Sequence, residues 1–249
     1  MIRFAHIPKT SGYSLYTEFH PPKYNFSKSE TCLPLWHIGT NDVINAAMFR
    51  KPEQQVFSQY KECRFDGWGK KTTARTQFPR KAPIMKDFET WLTHFDESQQ
   101  DDYNCYHPYN MQTRCTFCLN ESHCHHNLNR WPTQTVVIRN SLKSIDNLQW
   151  VGVQDLYHES VCVLYWKLQG HLPRTCDCER AHKYSHPYIR HNVPLMNVSF
   201  SLRTLDLIRN FTQYDRIIYK YAYTRAVSDI LSVQNLTRRF WCTRPVISD

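Results

Sequence analysis

Apolar positions along the chain follow two rhythms. Ile2 to Ile7 is a short apolar run stopped by Pro8, and it predicts a buried strand. Val43 to Phe49 is a second such run, Trp150 to Val153 a short strand candidate, and Thr135 to Ile138 is apolar and β-branched. Between these runs the apolar residues recur every three or four positions, as on one face of a helix. Ser14 to Phe19 predicts a short helix ended by Pro21 and Pro22. Glu53 to Tyr60 predicts another, with Pro52 near its first turn. Ile84 to Phe95 is apolar at Met85, Phe88, Trp91, Leu92 and Phe95. Asp155 to Leu168 is apolar at Tyr157, Val161, Leu164, Tyr165 and Leu168. Two further helices are predicted near Ser201 to Asn210 and Thr212 to Leu231.

Two stretches break the rhythm. Residues 96–132 hold four cysteines and four histidines but few aliphatics, and read as an irregular, cross-linked excursion from the core. Residues 171–200 read as loop containing Pro and His. Short strands alternating with helices predict an α/β fold, a central mostly parallel sheet flanked by helices. With 249 residues and no internal repeat, the chain is read as a single domain, 1–249.

Composition adds a compartment and a charge. Ten cysteines, and five Asn-X-Ser/Thr sequons at Asn25, Asn120, Asn197, Asn210 and Asn235, suggest an oxidising, glycosylating environment. Lys and Arg number 31 against 22 Asp and Glu, which favours anionic partners. No apolar stretch reaches the roughly 20 residues of a membrane span. Met1 stands directly on the first strand, so a missing N-terminal leader or anchor is expected. Cys115-x-x-Cys118 followed by Cys124, His125 and His126 has donors for zinc but no second paired half; disulfides are the preferred reading, and no metal is expected.

The candidate chemistry begins where the first strand ends, at His6-Ile-Pro-Lys9-Thr10-Ser11-Gly12-Tyr13-Ser14. A strand feeding a tight turn into a helix aims main-chain N–H groups at one point, which attracts an anion. Lys9 adds a full charge, Thr10, Ser11 and Ser14 add hydroxyls, and Gly12 permits close approach. The lysine precedes the glycine, unlike the nucleotide-binding pattern G-x-x-x-x-G-K-[ST], so an ATP or GTP site is disfavoured. A second strand–turn–helix, Phe49-Arg50-Lys-Pro52-Glu-Gln-Gln-Val-Phe-Ser58-Gln-Tyr60, offers a guanidinium and a hydroxyl for another phosphate.

Together these two segments resemble the sulfotransferases, specifically the membrane-anchored Golgi type that modify carbohydrates. The first is similar to that family's 5′-phosphosulfate loop, His-Ile-Pro-Lys-Thr-Gly-Gly-Thr-Ser. The second is similar to its 3′-phosphate segment, Arg-Asp-Pro-x-x-Arg-x-x-Ser-x-Tyr. Trp150-Val-Gly-Val-Gln-Asp155 and Tyr214-Asp-Arg-Ile-Ile-Tyr-Lys-Tyr-Ala222 resemble later family stretches. The chain departs from the pattern at Ser11 (a glycine), Tyr13 (a threonine), Lys51 (an aspartate) and Gln55 (an arginine).

The resemblance implies a P-loop-like sulfotransferase fold and the co-substrate 3′-phosphoadenosine 5′-phosphosulfate. Lys9, Thr10, Ser11, Gly12, Tyr13 and Ser14 would hold the 5′-phosphosulfate, and Arg50 and Ser58 the 3′-phosphate. Lys9 would stabilise the leaving group. His37, between the two segments, would accept the acceptor's proton; His6 and His191 stand second and third. The acceptor would be a glycan or another hydroxyl-bearing molecule, not nucleic acid. The setting would be the Golgi lumen, with membrane contact only through an N-terminal anchor of a type II protein. Two rival readings stay open: a nucleotide-dependent phosphotransferase, and a non-catalytic module for acidic glycans or nucleotides.

Overall fold

The structure is a computed structural model, and it describes residues 1–19, 24–29, 42–72, 84–98, 105–117, 134–176 and 200–238. Four strands form the central sheet: β1 (Ile2–Ala5), β2 (Phe26–Ser29), β3 (Ile44–Phe49) and β4 (Trp150–Val153). Their order is β2-β1-β3-β4, and every pairing is parallel. Ile2 of β1 is registered with Phe26 on one side and Ile44 on the other; Ala46 of β3 faces Trp150 of β4. Parallel strands need crossovers that cover the faces of the sheet, and β1, β3 and β4 are mostly apolar. All four residues of β4, and five of six in β3, are buried.

Helices form the described connections from β1 to β2 and from β3 to β4, and more follow β4. They are α1 (Gly12–Phe19), α2 (Pro52–Phe65), α3 (Gly67–Thr72), α4 (Ile84–Ser98), α5 (Met111–Phe117), α6 (Gln134–Asp146), α7 (Tyr157–Gln169), α8 (Leu202–Phe211) and α9 (Gln213–Thr237). Short 3₁₀ turns cover Gln154–Leu156 and Arg174–Cys176. Pro52 opens α2, where its missing N–H costs nothing. Ser201 caps α8, accepting from the N–H of Thr204 at 3.0 Å. Gly170 ends α7 in the left-handed region, φ 69°.

The core is aromatic. Phe19 of α1 lies against Tyr165 of α7, with ring centroids 4.8 Å apart. Phe57 of α2 meets Phe88 of α4 edge-on at 5.1 Å, and Tyr60 lies 4.9 Å from the same ring. The Phe88, Trp91, Leu92 and Phe95 stripe predicted for α4 is buried. Beneath these rings Arg64 of α2 and Asp87 of α4 form a buried ion pair, to which the Tyr60 hydroxyl also donates.

The sheet agrees with the expected α/β class, and three local expectations change. Thr135 to Ile138, apolar and β-branched, lies within α6. Residues 96–132 are not wholly irregular, because α5 lies inside them with all seven residues buried. The strand β2, Phe-Ser-Lys-Ser, has no apolar run to announce it. Two disulfides, Cys63–Cys105 and Cys162–Cys176, cross-link the chain, and Cys115 is disulfide-bonded as well. That removes the Cys115 thiolate from any metal set; Cys118, Cys124, His125 and His126 lie outside the described residues. Among the described residues no helix is long and apolar enough to cross a membrane.

Candidate functional site

The strand order fixes where a ligand could sit. From β1 the chain moves to β2 on one side, then returns to β3 on the other. The connections after β1 and β3 therefore diverge at neighbouring carboxyl ends, where open parallel sheets form a crevice. The two segments singled out in the sequence are these two connections.

The first turn is tight. Lys9 and Ser11 both take left-handed backbone angles, φ 65° and 72°. Left-handed geometry costs a residue with a Cβ roughly 1–2 kcal/mol, so the turn needs support from its surroundings. Thr10, between them, is fully buried, and its hydroxyl donates to the Ile7 carbonyl at 2.8 Å. That hydroxyl, expected to face an anion, closes the turn instead. Gly12 begins α1 beside the His6 ring, and a Cβ there would run into the ring's Cδ2 and Nε2. His6 thus packs against the turn, which gives the glycine a steric reason. Ser11 and Ser14 are half-buried, and Tyr13 is exposed.

The second segment closes on the first. The Arg50 guanidinium donates from Nη1 to the Lys9 carbonyl at 3.1 Å. Gln55 of α2, buried, donates from Nε2 to the Pro8 carbonyl at 2.8 Å. The residue that departs from the family's arginine therefore ties α2 to the turn. Glu62, two helical turns further on, forms an ion pair and hydrogen bond with the Lys9 ammonium. Ser58 lies half-buried on the same helix.

This rim gathers the cations Lys9, Arg50, Lys51 and Lys61 beside the carboxylates Glu62 and Asp155. Burial pulls the Arg50 guanidinium down to about 10, opposed by the nearby Asp155 carboxylate; it remains charged at neutral pH. Its Nε is buried with no hydrogen-bond partner among the described residues. Such a donor is costly to leave unmade, and an anion would satisfy it. Burial also lowers Lys61, with Arg50 and Lys9 adding like-charge repulsion. Lys51 pairs with Asp155 at 3.5 Å, and the Tyr219 hydroxyl donates to the same carboxylate at 2.8 Å. Burial, then Asp155, raises the Tyr219 phenol strongly, so it stays protonated.

Behind Arg50 stands a second layer that the sequence did not point to. The Gln112 side chain accepts from the Arg50 N–H at 3.0 Å and donates to the Arg50 carbonyl at 2.8 Å. Asp215 of α9 caps the start of α5, accepting from the N–H groups of Gln112 and Thr113 at 3.2 and 2.7 Å. Asn110 does the same for α9, accepting from the N–H groups of Tyr214 and Asp215 at 2.9 and 3.3 Å. The signal available in sequence was only that polar residues interrupt an apolar neighbourhood. His37 and His191, the remaining sequence candidates, lie outside the described residues.

No family model matches the chain, and no curated protein or solved structure matches it either.

Proposed function

We propose that this chain is a sulfotransferase moving a sulfuryl group from 3′-phosphoadenosine 5′-phosphosulfate to a hydroxyl, with a glycan as the acceptor class. The observation that carries the reading is the hydrogen bond from Arg50 Nη1 to the Lys9 carbonyl. It joins two anion-seeking turns, 41 residues apart, at the switch point of a parallel sheet. A nucleotide with phosphates at both its 3′ and 5′ positions suits two cationic turns held side by side.

In this reading Lys9 faces the phosphate that becomes the leaving group and stabilises the charge growing on its bridging oxygen. Arg50 and Ser58 hold the 3′-phosphate, with Arg50 Nε and the remaining Nη as the donors. The acceptor oxygen bonds to sulfur as the sulfur–oxygen bond to the 5′-phosphate breaks. His37 takes the hydroxyl proton, and 3′,5′-ADP departs. Lys9 must first leave Glu62, so the ammonium exchanges one anion for another on binding. What the reaction asks of the protein is position, since alignment and charge stabilisation supply most of the rate in such transfers.

Three features support passage through an oxidising, glycosylating compartment, and we place the protein in the Golgi lumen. They are the disulfides Cys63–Cys105 and Cys162–Cys176, and the exposure of the sequon residues Asn25, Asn210 and Asn235. The Lys9–Glu62 pair favours one alternative, a non-catalytic module whose lysine is permanently neutralised.

A transfer assay with radiolabelled sulfate donor and a panel of oligosaccharides separates the two. Label should pass to an acceptor, and Lys9→Ala should abolish turnover. His37→Ala should retain 3′,5′-ADP binding and lose transfer. Oligosaccharide binding without any transfer, and without 3′,5′-ADP binding, would establish the module instead.

A further inference from the structure

Arg50 sits between two regular elements, and its peptide groups belong to neither. The β3 strand ends at Phe49, and α2 begins at Pro52. A main-chain N–H and C=O in that position need partners from elsewhere. Gln112 supplies both, with its amide oxygen on the Arg50 N–H at 3.0 Å and its amide nitrogen on the Arg50 carbonyl at 2.8 Å. This two-point grip holds the two peptide units on either side of the Arg50 Cα, and with them the direction in which the arginine side chain leaves the backbone. A contact to one unit alone would leave the other free to rotate.

The grip is itself anchored. Gln112 is fully buried on α5, whose seven residues are all buried. Asp215 receives the N–H groups of Gln112 and Thr113 and the Thr113 hydroxyl, the last at 2.7 Å. Asn110 receives two N–H groups at the start of α9, so each helix caps the other. Arg114 of α5 donates to the His107 carbonyl at 2.7 Å, and Cys115 is disulfide-bonded. A side chain held this firmly can impose geometry on what it touches.

We infer that Gln112 is a positioning residue for the 3′-phosphate: it clasps the Arg50 backbone from α5 and so aims the guanidinium, without touching the nucleotide. This rests on the sulfotransferase reading, in which Arg50 meets that phosphate. Gln112 is then a determinant of selectivity between nucleotides with and without a 3′-phosphate.

The test compares two probes, 3′,5′-ADP and 5′-AMP, by calorimetry on the full chain. Wild type should prefer 3′,5′-ADP. Gln112→Ala should weaken 3′,5′-ADP about tenfold, the size of one misplaced charge-assisted hydrogen bond, and leave 5′-AMP unchanged. A purely structural role would weaken both nucleotides together. Gln112→Glu, nearly the same shape, keeps the acceptor but loses the donor at neutral pH. It should show the same selective loss, and it carries the test if the alanine variant does not fold. Hydrogen exchange at the Arg50 amide should quicken in Gln112→Ala. Retained preference for 3′,5′-ADP in both folded variants would overturn the inference alone. Failure of wild type to bind either nucleotide would overturn the sulfotransferase reading and this inference with it.

Discussion

Two of the ion pairs made by helix α2 sit in unlike surroundings. Arg64 reaches Asp87 of α4 through Nε at 3.0 Å and Nη2 at 2.7 Å, and the Tyr60 hydroxyl adds a third bond at 2.8 Å. Both charged side chains are almost wholly buried. Glu62, two residues before Arg64, reaches Lys9 in the β1–α1 turn, and those side chains stay 23% and 27% exposed. In the first pair a bidentate fork and a phenol occupy the carboxylate, and both charged side chains are shut off from solvent. In the second, solvent can reach both groups, so another anion can take the place of Glu62 at small cost. The helix thus separates a charge that holds the fold from a charge that can be exchanged.

The largest effect should come from breaking the buried pair. Asp87→Ala takes the carboxylate away from the buried Arg64 guanidinium and should cost about 3–5 kcal/mol, read from urea unfolding. A loss below about 1 kcal/mol would show that the two pairs are energetically alike.

Asp215 sharpens the contrast, being a buried carboxylate served by neutral donors rather than by a direct ion pair. Burial raises it from 3.8 to about 6, against the lowering effect of the Thr113 side chain, the Thr113 and Gln112 N–H groups and Arg114. An acid raised in the folded state adds stability that is complete below its unfolded value and lost as pH rises through its folded value. The stability advantage of wild type over Asp215→Asn should therefore shrink from pH 3.8 to about 6, by an amount on the order of 3 kcal/mol. His107, driven down to about 3 by burial, then Arg114 and His94, works in the opposite sense over this window. Comparing the two proteins at each pH cancels it. An advantage that grows with pH would contradict the assignment.

Glu62→Gln tests the exchangeable pair. Stability should change by less than about 1 kcal/mol, while 3′,5′-ADP should bind about tenfold tighter, because Lys9 no longer has to leave a carboxylate. Unchanged or weaker nucleotide binding would mean that Glu62 supports the site rather than competing for it. The smallest effect is expected at Ser11, whose φ of 72° suits glycine. Ser11→Gly should stabilise by about 0.5 kcal/mol, the relief of left-handed strain less the added freedom of the unfolded chain. Thermal melting would detect it, and a destabilised variant would show that the serine side chain is needed in the turn.

How much of this was legible in the sequence depended on distance along the chain. The strand β4 falls on Trp150 to Val153 as expected, because a fully buried parallel strand must be a continuous apolar run. The edge strand β2 has only Phe26 as an apolar residue, and its place comes from pairing with β1. Thr135 to Ile138 shows the reverse case, where β-branched residues are carried into a helix by tertiary packing against α5 and α9. At the site, the Lys9 turn and Arg50 could be read because each is a local strand–turn–helix pattern. Glu62, Gln112 and Asp215 could not, since their roles arise from contacts across 53, 62 and 103 residues. Nothing local marks a glutamine that will grip another segment's backbone.

If the Lys9 and Arg50 turns form one site, a double-mutant cycle on 3′,5′-ADP binding will show the two residues coupled. Lys9→Ala and Arg50→Ala, singly and together, would be titrated by calorimetry beside wild type. Expected are wild-type binding, a loss of about tenfold to a hundredfold in each single variant, and a double variant weaker than either but not by the product of the two losses. No binding by wild type, or binding that ignores both substitutions, would contradict a shared site.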